Sequence, residues 1–533
     1  MPKNIAVCAD GTGNANILGR GTNVFKLYEL VDQNGHRQNP ERIKASLTPL
    51  TSQVAIYHDG VGTEDFKWLR IFAGATGYGL SRNVKQLYGE LCRAYTPGDK
   101  IFLFGFSRGA FTVRTLAGLI SACGILNLFD GDNYKTNAQF QRGIDEAYDE
   151  YRRTYQTRLS RFVHGKRPPL DQKAKDVLRK RFSVDIPAFH NPDSKLIEFL
   201  GVWDTVDAVG LPVPSAEFVN RWIYAFKFPD SELNSDVKRA CHALALDEER
   251  ESFAPLLWSE ATTTSGQTIE QVWFAGVHSN VGGGYPRQGM SLVALEWMLK
   301  KAEKHDLRFI EPDRALYGLH ADVDDKLYDS RGGLGIFYRW KPRDVQALCK
   351  AHGIQTPRVH RSAIERIARN TEGYAPGSMP PNIDIESTTL GAAAADVEAL
   401  IARHHQQDAP LGLMRREAGW LVFGAWSYWL FVWAVLIIVA FMVVSLVGEA
   451  ARGADTWLAA ARGLVETAAS SRWIGLLLQT LRQHPWLGIA LVVTLLLALW
   501  VEHHLDNRYS EFWHRIRYDL RNTLGLGRPG GTP

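Results

Sequence analysis

The sequence predicts an α/β fold, a mostly parallel sheet covered by helices, followed by a pair of membrane-spanning helices. Three observations carry this. Up to about residue 410, short apolar runs alternate with helical patterns, as parallel strands feeding crossover helices do. In "KIFLFGFSRGAFTVRTLAGLI", residues 100–120, a buried-type strand runs through Gly-Phe-Ser-Arg-Gly straight into an apolar helix. Finally, "GWLVFGAWSYWLFVWAVLIIVAFMVVSLVG", residues 419–448, holds no charge and exceeds the ~20 residues that cross a bilayer.

The strand candidates, in order, are "NIAVCAD", "VAIYHDG", "KIFLFGFS", "KLIEFLGVWD" and "QVWFAGVHS". Each ends in a polar or glycine-rich turn, and in such sheets the C-terminal strand ends gather the functional site. Residues 130–191 change texture to a densely charged helical pattern, read first as a solvated helical insertion, with a cap or lid over the site as the sharper alternative that the first does not exclude. Residues 1–410 are thus expected to form one domain, and 411–533 a membrane region with a basic tail. Its spans are placed at 419–447 and 485–501, the second being the uncharged "PWLGIALVVTLLLALWV". Tryptophans at both segments and their ends suit an interfacial belt. The intervening loop is amphipathic enough to lie along a membrane surface.

Composition narrows the class. The 533 residues are 45% hydrophobic and 22% charged, with a net charge of +4, too mild to argue for nucleic acid. Five scattered cysteines read as reduced thiols, neither a disulfide framework nor a zinc site. The first residues contain no apolar core of signal-peptide length, which argues against Sec-type export. Seven arginines flank the spans on the outside (Arg403, Arg415, Arg416, Arg508, Arg515, Arg517, Arg521) against four between them (Arg452, Arg462, Arg472, Arg482). That bias places both termini, and the domain before the spans, in the cytoplasm.

The serine at 107 has a chemical reading. In a strand-turn-helix context, Gly-x-Ser-x-Gly is a nucleophile elbow, which lifts the hydroxyl above the sheet. A serine needs a base, and the base an orienting acid. Asp204 ends the strand "KLIEFLGVWD", with Asp207 as its rival three residues into the loop. His278 follows "QVWFAGV"; His242, in a segment that reads as a helix, competes with it. The backbone N–H of Arg108 is one expected oxyanion donor. The second is expected from Gly11 or Thr12 in "DGTGN", a loop that Asp10 could brace. Neither this loop nor "GATGYG" continues into Gly-Lys-Ser/Thr, so a nucleotide P-loop is not expected.

Longer motifs extend the pentapeptide: "ADGTGN", "YHDGVGT", "LGVWDTV", "HALALDEER", "WFAGVHSNVGGGYP", and further on "DSRGGLGIFYRWKPRD" and "IARNTEGYAPGSMPPN". Together they resemble, over roughly residues 2–388, the catalytic domain of type VI secretion phospholipase effectors (Tle-type), an α/β-hydrolase family. The resemblance implies a lipolytic serine hydrolase with Ser107, Asp204 and His278 as its triad, needing no cofactor or metal. Its expected substrate is a lipid or phospholipid, and its expected location a bacterial inner membrane. Alternatives are an esterase or thioesterase on small soluble substrates, or a non-catalytic membrane scaffold. No residue pattern specifies a protein partner. The family usually has His-Ser-Asp before the glycine run, where this chain has Asn280. An acid there that oriented the histidine or held a cation would be missed; one that only capped the loop would not.

Overall fold

The computed structural model describes residues 2–11, 21–33, 51–60, 78–130, 133–153, 170–186, 194–207, 232–332, 338, 340–386, 393–409, 419–452 and 473–526. Its centre is a sheet of eight strands: β1 (Asn4–Ala9), β2 (Gln53–His58), β3 (Lys100–Phe106), β4 (Ile197–Trp203), β5 (Val237–Ala245), β6 (Thr268–Phe274), β7 (Arg358–His360) and β8 (Asp384–Glu386). They lie in the order β8-β7-β6-β5-β4-β3-β1-β2, and every neighbouring pair is parallel. All five expected strands are present. β3 and β4 are buried almost end to end, which is why they read as continuous apolar runs.

The direction of chain progress reverses at β1, whose neighbours are β2 and β3. Such a switch point opens a crevice beyond the C-terminal strand ends. Register brings those ends level: Phe106 pairs with Trp203, and Trp203 with Ala243.

The segment around His242, expected as a helix, is strand β5. Its alanines favour a helix locally, but pairing with β4 and β6 on both edges, with every residue from Ala240 to Ala245 buried, overrides that preference. Small side chains suit a strand sandwiched between two helical layers.

The insertion forms helices Asn137–Arg153 and Gln172–Phe182, which bury Phe140, Ile144, Tyr148, Tyr151 and Phe182 in the same core as helix Arg108–Cys123. Arg179 donates to the Ser121 carbonyl, at the opposite end of that helix from Ser107, and pairs with Asp236 at 2.7 Å. These two helices therefore cover a face of the sheet and not the serine. Residues 131–132, 154–169 and 187–191 of the expected cap lie outside the described residues.

Two long apolar helices follow, Gly419–Arg452 and Pro485–His514. Trp420 meets Trp500 at 5.6 Å between ring centroids, while Ile438 and Met442 cluster with Leu487, so the chain runs out along one and back along the other. Contacts of the C-terminal segment cross the expected domain boundary at residue 410. Phe512, Trp513, Ile516, Leu520 and Leu524 are buried in a core shared with Ile364, Ile367, Val397 and Ile401, and the Trp513 indole donates to the Pro376 carbonyl at 3.0 Å. The last turn of the second apolar helix and the short helix after it, Arg517–Thr523, thus pack back against the first domain.

Candidate active site

Ser107 stands between β3 and the helix Arg108–Cys123 with φ 58° and ψ −123°, a conformation that an L-residue holds only under constraint. The constraint is visible at the flanking glycines. A Cβ on Gly105 would lie 2.6 Å from the Gly109 carbonyl oxygen, and one on Gly109 would lie 2.1 Å from that of Ala9. Both side chains must therefore be hydrogen for the turn to close. The Ser107 N–H donates to the Trp203 carbonyl at 3.0 Å, tying the turn to β4.

Asp204 follows β4, also at positive φ (37°), and its side chain is fully buried. His278 opens the short helix His278–Gly282 after β6. These three groups converge. His278 Nδ1 lies 2.6 Å from Asp204 Oδ2, and His278 Nε2 lies 2.8 Å from Ser107 Oγ. A carboxylate can only accept, so Nδ1 carries the ring proton and Nε2 is left to accept from the Ser107 hydroxyl. The imidazole is held between Phe106 (4.6 Å) and Phe253 (5.0 Å), and its backbone N–H donates to Glu248. Glu248 is in turn paired with Arg250, whose guanidinium lies over Phe253.

Arg343, which sequence reasoning missed, completes the acid end. Its Nη1 donates to Asp204 Oδ1 at 2.7 Å and its Nη2 to Oδ2 at 2.8 Å, while the same nitrogens also reach the carbonyls of Ala245 and Phe253. Burial alone would raise the Asp204 pKa, but Arg343 and then His278 outweigh it and hold the carboxyl well below its ordinary range. Burial lowers the His278 pKa, against the pull of Asp204, so the ring is neutral at neutral pH.

The rival residues fall elsewhere. His242 is fully buried; its Nε2 accepts the Thr205 N–H at 3.1 Å, which props the turn after Asp204. Burial, then Arg114, push its pKa down to about 3, so it stays neutral and committed. Asp207 is partly exposed beyond the strand end, and Asp204 is the acid on His278.

Asp10 ties the end of β1 to its neighbours. Its Oδ2 accepts from Thr22 at 2.6 Å and Tyr57 at 2.8 Å, and its Oδ1 from the Gly11 N–H at 2.6 Å. That last bond corrects one expectation, because it commits the Gly11 N–H to a carboxylate instead of a substrate oxygen. Thr12 lies outside the described residues. Arg108 is the first residue of its helix, where a backbone N–H has no intrahelical partner.

Asn280 is a loop clamp. Its Oδ1 accepts from the Tyr328 N–H at 3.2 Å and its Nδ2 donates to the Lys326 carbonyl at 3.0 Å. An aspartate could make the first bond and not the second. Among the described residues no cluster of His, Cys, Asp and Glu is arranged to hold a metal ion.

Residues 3–301 match the family described as "T6SS, Phospholipase effector Tle1-like, catalytic domain". An uncharacterized protein of Saccharomyces cerevisiae is 25% identical over 273 residues, 48% of this chain and 33% of its own, so the chain spans about a third of that relative's length. Among solved structures, an uncharacterized protein from Pseudomonas aeruginosa aligns at 18% identity and TM-score 0.29, covering 76% of this chain and 60% of that one. The Tle1 effector bound to the VgrG spike of the Type 6 secretion system aligns at 16% identity and TM-score 0.23, covering 54% and 52%.

Proposed function

The chain belongs to the type VI secretion Tle1-like phospholipase-effector catalytic domain family, and from that premise we propose a membrane-anchored serine hydrolase that cleaves carboxyl esters of lipids, phospholipids first among them. One observation carries the reading: the relay from Ser107 Oγ through His278 to Asp204, with both hydrogen bonds at 2.8 Å or less.

The chemistry follows from that relay. Ser107 Oγ attacks the ester carbonyl carbon as its proton passes to His278 Nε2, and the imidazolium so formed is balanced by Asp204. The Arg108 N–H, at the helix start, stabilises the negative oxygen of the tetrahedral intermediate. Its collapse breaks the ester C–O bond, the alcohol leaves with the proton from Nε2, and the acyl group stays on Ser107. Water then gives a proton to Nε2 and attacks the acyl carbonyl; collapse breaks the acyl–Oγ bond, Oγ takes the proton back from Nε2, and the fatty acid leaves. The acid must stay ionised throughout, which is what Arg343 favours.

The anchor rests on the two apolar helices, both long enough to cross a bilayer. Val422, Trp426, Leu430, Trp433, Val444, Ile489 and Leu496 are each about half exposed or more, apolar surface that water would penalise. The arginine bias supports a cytoplasmic catalytic domain. Full-length protein is expected to remain with vesicles through high-salt and carbonate washes, and release would remove the anchor. The central test is mass spectrometry of a mixed lipid extract incubated with wild type and with Ser107→Ala. Free fatty acid and the matching lyso-lipid should accumulate with wild type alone; identical product profiles would sink the proposal.

A further inference from the structure

Between the first apolar helix and the catalytic domain lies a cavity of about 640 Å³. One wall is the stretch Trp340, Lys341 and Pro342; the other is a helix face that includes Ala425, Trp426 and Trp429. The first wall is fixed from both sides. The Trp340 ring rests against Gly424, where a Cβ would come within 2.4 Å, and its indole N–H donates to Glu249 at 3.0 Å.

This wall also leads to the triad. The residue after Pro342 is Arg343, on Asp204. Lys341 pairs at 3.1 Å with Glu251, in the turn whose Phe253 ring packs on His278. A ligand in the cavity would lie against two segments that hold the catalytic acid and base.

Building on the lipid-hydrolase reading, we infer that this groove holds an acyl chain of a bilayer phospholipid, with the headgroup phosphate meeting Lys341. Its volume falls within the ~300–1,000 Å³ of ligand pockets, which are lined, as here, mostly by apolar and aromatic groups. The groove opens onto Val422, Trp426 and Trp433, which are 57%, 65% and 57% exposed. These belong to the face that a bilayer would cover, so a lipid tail enters sideways without crossing water. A peptide would bring backbone N–H and C=O groups against walls that offer them few partners. Lys341 supplies the cation at the mouth. Its ion pair with Glu251 is solvent-exposed on the lysine side, and such pairs are worth little, so a phosphate can replace the carboxylate.

The test is photo-crosslinking in vesicles that carry a phosphatidylglycerol with a diazirine at one acyl terminus. Full-length Ser107→Ala protein keeps the probe uncut, and labelled positions are mapped by peptide mass spectrometry. Labels should concentrate on Ala425, Trp426, Trp429 and the Trp340–Pro342 wall, and should fall on Ala425→Trp, which fills the groove. Val443→Trp, at an exposed position further along the helix, should change nothing. With Ser107 restored, Ala425→Trp should raise KM for vesicle phospholipid roughly tenfold, as expected when a few methylenes lose their burial. Lys341→Gln should weaken groove labelling; an unchanged yield would remove the phosphate contact. Labels spread evenly along the exposed helix surface would overturn the inference, leaving only lipid that surrounds any bilayer helix. Should Ala425→Trp not fold, the label map in the otherwise unaltered groove decides alone. Groove labelling by a protein that never hydrolyses lipid would keep the groove and remove the hydrolase reading, and lipid hydrolysis without groove labelling would do the reverse.

Discussion

Arg343 grips Asp204 with both terminal nitrogens, Nη1 on Oδ1 at 2.7 Å and Nη2 on Oδ2 at 2.8 Å, with both side chains buried. The planar guanidinium matches the carboxylate, so the pair fixes the plane of Asp204 as well as its charge. Since Oδ2 also meets His278 Nδ1, the orientation of the base is set by an arginine at one remove. The family match ends at residue 301, so this arginine comes from the part of the chain beyond it.

Removing the arginine leaves a buried charge without its ion partner. Arg343→Ala is expected to cost about 3–5 kcal/mol of stability, and Arg343→Lys less, because it keeps the charge and loses the fork. The sign with pH follows from the depressed Asp204 pKa. This contribution is complete above the unfolded carboxylate pKa, about 3.9, and is lost as pH falls through the lower folded value. Thermal melts of both variants across that range check it, and an Arg343→Ala melt equal to wild type would contradict it.

Ser107, His278 and Asp204 should behave as one unit. Ser107→Ala and His278→Ala are each expected to lower kcat by a similar factor, on the order of 10⁴ to 10⁶, with the double variant little worse. Asp204→Ala should cost less in kcat while also destabilising the fold, since it strands Arg343. If His242→Ala abolished soluble-ester hydrolysis while leaving the melt unchanged, the base would have to be reassigned.

The burial of His278 sets the acid limb. Its pKa is lowered from the ordinary 6.5, chiefly by burial, so the neutral, proton-accepting form persists below that pH. kcat/KM on a soluble ester should therefore be flat through neutrality and fall only on the acid side of 6.5. A limb centred above neutrality would contradict this account.

What the sequence disclosed, and what it hid, divides along physical lines. Ser107, Asp204 and His278 each end a buried strand in a turn, so periodicity and glycine placement located them one at a time. Their convergence depends on strand order, which no local pattern encodes. Arg343 had no such signal: it is one of many arginines, and its partner is settled only when the chain closes over Ala245 and Phe253. Its single hint was the motif "DSRGGLGIFYRWKPRD", quoted for resemblance and given no role. Strand β5 was hidden by alanines whose local preference the sheet overrules. The closing segment, residues 511–524, was legible in part, because Phe512, Ile516, Leu520 and Leu524 recur at every fourth residue, close to helical spacing, although the helix breaks between His514 and Arg517.

Asn280→Asp tests the loop clamp. The amide donates to the Lys326 carbonyl, and a carboxylate would face that oxygen with a lone pair and a charge. Loss of the bond should lower stability by about 1–3 kcal/mol, with kcat reduced only in step with His278 alignment. A melt at or above that of wild type would mean that the loop readily re-forms around the acid that the family usually carries.

The return of the chain after the apolar helices predicts which soluble piece can fold. Ending the protein near residue 410 removes Phe512, Trp513, Ile516, Leu520 and Leu524 from a core in which each is buried. At roughly 1.5–3 kcal/mol per large apolar side chain, that loss is comparable to the whole 5–15 kcal/mol that typically holds a domain together. Such a truncation should aggregate, or fail to react with a fluorophosphonate probe at Ser107. A deletion that keeps the closing segment should behave differently. His404, near the end of helix Ala393–Asp408, contacts the Phe512 carbonyl at 2.9 Å, so a short flexible linker from Asp408 to Glu511 replaces both apolar helices without pulling on the core. The joined protein should be soluble, melt cooperatively, label at Ser107 and hydrolyse short-chain esters, while losing rate on vesicles for want of an anchor that concentrates it there. If the simple truncation proved equally folded and reactive, the closing segment would be an ornament of the fold, and the boundary at 410 would stand.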